Sequence, residues 1–373
     1  MRLTHILPSL EPQYGGPSRA VPSLTAAQAR LGHDVALLTT GPAAEARAEG
    51  GSSVHVFPRG RPETICPSGE LRSYLRTHEC DCLHAHGLWL RTLHYAHERA
   101  GTLGIPFIIA PRGMMSHWAW HHHRWKKKLA EHFIHPGAFA AARGWHATST
   151  VEADDIRARG FTQPVCVAPN GVTRPEPADV AGAADYWRAA CPAAFARPTA
   201  LFYSRFHRKK RVIELIDLWL AHAPADWLLL MVGIPQTYGV AELSHYVDQQ
   251  SGADRVEIFD GTSRPAPYPA AALFLLPSHS ENFGLAVAEA MAHGLPVVVT
   301  DTMPWAALNQ NQTGWCVPWA HYAPALRAAL GESAEARRAR GAAACKWVLA
   351  EFSWEKSAQL LLQFYAGLCG AAP

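Results

Sequence analysis

Two glutamates, Glu281 and Glu289, stand eight positions apart in Ser278-His279-Ser280-Glu281-Asn282-Phe283-Gly284-Leu285-Ala286-Val287-Ala288-Glu289-Ala290-Met291-Ala292-His293-Gly294-Leu295-Pro296. Ionised carboxylates accept hydrogen bonds, so each can hold hydroxyl groups, and one carboxylate can hold both hydroxyls of a diol. Between them the run Asn282-Phe283-Gly284-Leu285 predicts a turn into a helix that begins near Gly284. A helix start offers unpaired N–H groups and a partial positive charge to an anion, and glycine lets a ligand approach the backbone closely. Acceptors for hydroxyls beside a seat for phosphate are what a sugar nucleotide requires. An isolated pair of this kind would be a solvated Glu281 and a Glu289 in an internal ion pair. Pro277-Ser278 before the pair and the Glu-Ala-Met-Ala-His-Gly-Leu-Pro run that starts at Glu289 favour the ligand site.

A second cationic element complements the first. Ser204-Arg205-Phe206-His207-Arg208-Lys209-Lys210-Arg211 follows a strand pattern at 200–203. Arg205 can grip phosphate with its planar fork, and Lys210 adds a point charge. Alone, such a run is a solvated basic loop. Beside two carboxylates and a helix start it becomes a diphosphate seat. No Asp-x-Asp pair occurs, so a divalent cation is not expected, and the two side-chain cations serve in its place.

Weaker signals lie in the first half of the chain. Tyr14-Gly15-Gly16-Pro17-Ser18 follows the first strand pattern; it is a strand-to-helix turn in which Gly16 could touch the donor. His84-Ala85-His86-Gly87 and Pro111-Arg112-Gly113-Met114 follow other strand patterns, which makes His86 and Arg112 cleft residues on the acceptor side. Paired histidines can bind metal, yet no further ligands stand at sensible spacing, so no metal is expected. Trp118 to Phe133 is a basic amphipathic helix: Trp118, Trp125, Leu129 and Phe133 share one face, with His121, Arg124, Lys127 and Lys128 opposite. It either packs through its tryptophans, with a solvated basic face, or meets an anionic membrane or lipid-linked acceptor. Trp118 is counted with the acceptor side.

These groups need a scaffold. Short apolar runs at 3–7, 35–39, 54–57, 82–85, 107–110, 145–148 and 165–168 predict one series of strands. Runs at 200–203, 227–232, 256–259, 273–276, 296–300 and 315–317 predict another. Unalternating runs separated by helical stretches indicate parallel strands buried on both faces. The fold class is therefore α/β, two doubly wound Rossmann-like domains facing across a cleft. Pro169-Asn170-Gly171-Val172 marks the hinge, which gives domains at 1–171 and 172–355. A terminal helix at 356–373, with Leu360, Leu361 and Phe364 on its apolar stripe, returns to the first domain.

With 373 residues the chain is long enough for two cores. A net charge of +3 does not suggest nucleic acid. The eight cysteines are scattered and read as reduced thiols. The start of the chain has no signal-peptide pattern and no run of about 18 apolar residues occurs. A cytoplasmic protein is expected, with peripheral contact at the inner membrane face.

Taken together, Gly15-Gly16-Pro17-Ser18, Pro169-Asn170-Gly171-Val172, Arg205 with Lys210, the Glu-x7-Glu segment and Phe352-Ser353-Trp354 resemble the family 4 glycosyltransferases of the GT-B fold over nearly the whole chain. His84-Ala85-His86-Gly87-Leu88-Trp89 and Pro111-Arg112-Gly113-Met114 look like a bacterial subgroup that builds lipopolysaccharide, O-antigen or exopolysaccharide. The resemblance implies retaining transfer from a nucleotide sugar to a glycan or lipid-linked acceptor, with no cofactor and no metal. Glu281 would bind the donor sugar and Glu289 the ribose. Gly16, Asn282, Phe283, Gly284 and Leu285 would contact the donor, while Arg205 and Lys210 stabilise the leaving diphosphate. Three departures stand out. Arg211 follows Lys210 where the family has glycine, Arg112 stands where many relatives have histidine, and residues 261–272 lack the usual aspartate. Two other functions fit a nucleotide-sugar site: an epimerase on the same fold, or a non-catalytic binding partner of another transferase.

Overall fold

The computed structural model describes residues 1–11, 14–43, 45–121 and 124–370. The chain forms two compact units, Met1–Gly171 together with the segment from Phe352 onward, and Val172–Glu351.

The first unit is built on eight strands: β1 Arg2–Leu7, β2 Asp34–Gly41, β3 Glu45–Glu49, β4 Ser52–Pro58, β5 Cys82–His86, β6 Phe107–Ala110, β7 Gly144–Ala147 and β8 Val165–Val167. Their order across the sheet is β3-β4-β2-β1-β5-β6-β7-β8. Every pairing is parallel except β3 with β4. All thirteen expected strands of the chain form. β3, Glu-Ala-Arg-Ala-Glu, was not expected, because its composition is that of a charged loop. As an antiparallel edge strand it needs only a partner on one side, and its charges protect the sheet edge.

The helix Trp354–Gly370 completes this unit's core. Trp354, Ala358, Leu361, Leu362 and Tyr365 pack with Leu3, Ala20, Leu24, Val35 and Ile108. Leu360, expected on the apolar stripe, is 44% exposed instead. The stripe runs through positions 354, 358, 361, 362 and 365, a helical repeat that leaves residue 360 on the outer face.

The second unit has six strands, β9 Thr199–Phe206, β10 Leu228–Pro235, β11 Val256–Asp260, β12 Leu273–Leu276, β13 Val297–Thr300 and β14 Gly314–Val317. All run parallel in the order β11-β10-β9-β12-β13-β14. Both sheets are doubly wound. The order reverses between β9 and β12 here, and between β1 and β5 in the first unit. Ligands of such sheets bind outside the carboxyl ends of the strands at that reversal. Among the described residues, no helix is long and apolar enough to cross a membrane.

Candidate functional site

In the second unit the reversal point gathers the predicted residues. β9 delivers Arg205 one residue before its end. A single 3-10 turn, Arg208–Lys210, follows, with the His207 ring accepting from the Lys209 amide at 3.0 Å. Arg211 then takes a left-handed conformation, φ 53°, and starts the helix Val212–His222. The loop geometry usual for glycine is therefore kept with an arginine, at a cost of about 1–2 kcal/mol. Its guanidinium lies 4.5 Å from the Trp319 ring centroid, which offsets part of that cost.

The loop after β12 is tied to this turn. The His279 amide donates to the Lys209 carbonyl at 2.7 Å. Thr300 and Thr302 hydroxyls donate to the Ser278 carbonyl at 2.6 and 2.8 Å. Ser278 in turn donates from Oγ to Glu281 Oε1 at 2.7 Å. Glu281 and Lys210 form an ion pair in which both side chains are largely buried, 14% and 8% exposed. Burial pushes the Glu281 carboxyl upward, but Lys210 and Ser278 outweigh it and hold the group below its usual range. So Glu281 does not stand alone toward solvent, and of the two expected phosphate cations Lys210 already has a carboxylate partner. No partner of the Arg205 guanidinium is found among the described residues.

Gly284, φ 79°, turns the chain into the helix Leu285–Ala292. A Cβ there would lie 3.2 Å from Trp305 Nε1, so the position is reserved for glycine by both conformation and space. Trp305 Nε1 donates to the Phe283 carbonyl at 2.6 Å. Phe283, expected among the donor contacts, is 4% exposed and packs against Trp305; its ring belongs to the core. Asn282 and Leu285 are half-buried, and the first turn at Leu285 leaves amides without helical carbonyl partners. Glu289, one turn on, accepts at Oε2 from the Tyr268 hydroxyl at 2.7 Å. Tyr268 is buried, at a position where the sequence offers only a tyrosine in a proline-rich stretch, and nothing there signalled its role.

The first unit places its candidates around its own reversal point. After β1, Gly15 has φ 80° and Gly16 begins the helix Pro17–Arg30. A Cβ on Gly16 would meet nothing within 4 Å. His86 ends β5, and Arg112 follows β6 in a left-handed conformation, φ 55°. Arg112 Nη1 donates to Asn170 Oδ1 at 2.9 Å, while Nε and Nη2 both reach His86 Nδ1, at 3.3 and 3.1 Å. An arginine can only donate, so His86 Nδ1 accepts and a neutral His86 carries its proton on Nε2. That proton serves His5 Nδ1 at 2.9 Å, and His5 Nε2 then serves Gln28 Oε1 at 2.7 Å. The donors and acceptors form one directed chain from Arg112 to Gln28.

This chain bears on metal binding. His5, His84 and His86 nitrogens lie within 4.8 Å of one another, all buried. A cation at that point would need the His86 Nε2 lone pair, which the Arg112 bond commits to a proton. Burial lowers the His5 ring to about 3 and holds His84, His86 and His146 well below the ordinary imidazole value. These rings form a neutral, buried array that fits side-chain hydrogen bonding better than metal ligation.

The amphipathic stretch folds as two helices, His117–His121 and Arg124–Phe133. The Trp118 side chain, the Arg124 side chain and all of His122 and His123 lie outside the described residues. The packed-tryptophan expectation fails at Trp125, which is 64% exposed, together with Leu129 at 47% and Phe133 at 64%. Packing is instead done by Lys127, whose ammonium donates to the Ala119 carbonyl and sits over the Trp89 ring.

Comparison with known proteins agrees with this architecture. Residues 14–174 match the model of Glycosyltransferase Family 4, and residues 197–334 match Glycosyl transferases group 1. A D-inositol 3-phosphate glycosyltransferase of Xylanimonas cellulosilytica is 30% identical over 178 residues, 45% of this chain and 42% of that protein. The lipopolysaccharide core biosynthesis mannosyltransferase LpsB of Rhizobium meliloti is 34% identical over 122 residues, 30% of this chain and 34% of that protein. The chain thus spans less than half the length of these curated relatives. Among solved structures, sucrose-phosphate synthase from Thermosynechococcus elongatus superposes with a TM-score of 0.76 at 20% identity, covering 100% of both chains. Anabaena HepE in complex with UDP-glucose gives 0.75 at 18%, covering 99% of this chain and 100% of that one.

Proposed function

We propose that the chain, which has the GT-B fold and matches Glycosyltransferase Family 4 over residues 14–174 and Glycosyl transferases group 1 over residues 197–334, transfers a sugar from a nucleotide-sugar donor to a glycan or lipid-linked acceptor. The observation that carries the proposal is the buried Lys210–Glu281 pair beside Arg205 at the strand-order reversal of the second unit. In this reading Arg205 and Lys210 face the diphosphate, whose developing charge on departure is the main thing to stabilise. Glu289, oriented by Tyr268, holds the ribose, and Glu281 takes hydroxyls of the donor sugar when Lys210 turns to phosphate. Gly16 gives the donor room on the first unit, and His86 and Arg112 attend the acceptor.

No side chain in the second-unit cluster is set up as an activated nucleophile; its members are two carboxylates, Glu281 paired with Lys210 and Glu289 bonded to Tyr268, and two cations. That composition favours a retaining transfer in which the leaving phosphate accepts the incoming hydroxyl's proton, with cations doing the work of a metal. The exposed Trp125, Leu129 and Phe133, with Lys126 and Lys128 exposed on the same helix, support peripheral contact with an anionic membrane. Such contact suits a lipid-linked acceptor in lipopolysaccharide or exopolysaccharide synthesis.

The test is a panel of nucleotide sugars offered with lipid-linked and free glycan acceptors. Acceptor-dependent release of nucleoside diphosphate, with retention at the anomeric carbon, is the expected result. Isomerised sugar or free nucleotide without acceptor would point to an epimerase. Nucleotide binding with no turnover would point to a non-catalytic partner.

A further inference from the structure

The first unit contains a cation with no direct ion-pair partner among the described residues; the buried carboxylate of Glu152 acts on it only through space. The Arg112 guanidinium is half-buried, and its three contacts are to neutral groups, His86 and Asn170. Among the described residues no carboxylate lies within ion-pair distance. The nearby Glu152 spends its oxygens elsewhere, on the Gly113 amide at 2.5 Å and the Thr148 amide at 2.7 Å. The rings behind it, His5, His84, His86 and His146, are buried and neutral. Burying a charge without a partner costs several kcal/mol and is seldom kept without a purpose.

The protein also holds Arg112 in place at a further cost. Its backbone is left-handed, the conformation that a side chain with Cβ avoids, and Gly113 after it has φ 82°. Glu152 fixes that turn through the Gly113 amide. The directed chain through His86 and His5 to Gln28 locks the side of the guanidinium that carries Nε. An arginine has five N–H bonds. Three are committed here, which leaves one on Nη1 and one on Nη2. Each is a charged donor for an oxygen of a carboxylate or phosphate. Strain, a rigid support and a guanidinium with uncommitted donors and no direct ion pair coincide at one residue, at the carboxyl end of β6.

We propose that Arg112 is an oxyanion-binding residue of the acceptor site, so that the acceptor carries a carboxylate or phosphate close to the hydroxyl that receives the sugar. The assignment of that anion to the acceptor rests on the proposed glycosyl transfer; the anion site itself does not. The donor's own phosphates present the same chemistry, and the kinetics separate the two sources.

Binding is tested by titrating inorganic phosphate into Arg205→Gln protein and into the Arg205→Gln/Arg112→Gln double variant. Loss of Arg112 should weaken phosphate binding about tenfold or more, the value of one charge-assisted hydrogen bond. Arg205→Gln/Arg112→Lys should recover part of the affinity, and circular dichroism should show all three folded. Equal phosphate affinity with and without Arg112 overturns the proposal. Kinetics then use acceptors that differ only in a carboxylate, a glucuronide against the matching glucoside. Arg112→Gln should raise KM for the glucuronide about tenfold and leave donor KM unchanged. A rise in donor KM instead places the anion on the donor and overturns the acceptor assignment. Absence of transfer to any acceptor, with Arg112-dependent phosphate binding intact, would remove the proposed function and leave the anion site standing.

Discussion

Replacing Glu281 by Gln separates a phosphate-binding Lys210 from a merely structural one. Breaking a buried ion pair from one side costs about 3–5 kcal/mol because the other charge is left unpaired. Here both side chains keep some exposure, and a glutamine oxygen can still accept from Ser278 and Lys210. The expected loss therefore falls at or just below the lower limit of that range, about 2–3 kcal/mol. For a domain the size of the second unit that is a fall in Tm of about 5–10 °C. The unpaired Lys210 should then welcome an external anion. A charge-assisted hydrogen bond no longer shared with Glu281 is worth about 1.5–3 kcal/mol, so UDP should bind about tenfold tighter or more. At equal saturating ligand this adds about 1.4 kcal/mol of stabilisation. Differential scanning fluorimetry of wild-type and Glu281→Gln protein, with and without UDP, reads both effects. A variant as stable as wild type, or one whose UDP shift is no larger, refutes the reasoning. Acid has the same sign. Because the folded-state pKa of Glu281 is depressed, its contribution is present above the ordinary carboxylate value of about 4.3 and is lost as pH falls through the lower folded value.

Four further outcomes are expected. Gly16→Ala should leave urea stability within about 0.5 kcal/mol, since a Cβ there meets open space, but should lower kcat/KM for the donor; unchanged kinetics would remove Gly16 from the donor site. The buried rings of His5, His84, His86, His135 and His146 are held below their usual pKa by burial, so the unfolded chain takes up protons first and stability must fall as pH drops below about 6.5. Each such ring contributes up to about 1.4 kcal/mol per pH unit, and a flat stability profile between pH 7.5 and 5.5 would contradict their neutral burial. Lys126→Glu with Lys128→Glu should weaken sedimentation with anionic vesicles, by about 1 kcal/mol per charge removed, and leave neutral vesicles unaffected. Arg211→Gly should be about 1 kcal/mol more stable than Arg211→Ala in urea unfolding, because only glycine relieves the left-handed backbone; equal stabilities would mean that the turn is not strained.

The scaffold was legible because buried parallel strands announce themselves as apolar runs. Phe107–Ala110 and Leu273–Leu276 appear in the structure with the bounds read from the sequence. Glu45–Glu49 was not legible, since an edge strand needs no apolar face. The cluster of Arg205, Lys210, Glu281 and Glu289 was anticipated as a neighbourhood but not as a set of contacts. No pattern says that Lys210 and Glu281 neutralise each other, or that Ser278 and Tyr268 hold the two carboxylates, because these pairings span 71, 3 and 21 positions and depend on how two loops meet. Phe283 misled for a simple reason: a residue within a ligand-binding turn can still point its ring inward. At the Trp125 face the sequence left two readings open, and the exposure of Trp125, Leu129 and Phe133 counts against the packed one. Amphipathicity indicates an apolar face, not what covers it.

The first unit is made of two separated stretches of chain, with residues 172–351 between them. Synthesis on the ribosome therefore yields its eight strands long before the helix Trp354–Gly370 that seals them. Until then Leu3, Ala20, Leu24 and Ile108 lack the side chains that bury them in the finished protein. The second unit, by contrast, is contiguous and can fold as soon as it emerges. The nascent first unit must wait through about 180 residues of translation, on the order of 10–30 s at ordinary elongation rates, with an unsealed apolar face. Docking of the helix Trp354–Gly370 is therefore the step that completes the first unit's core.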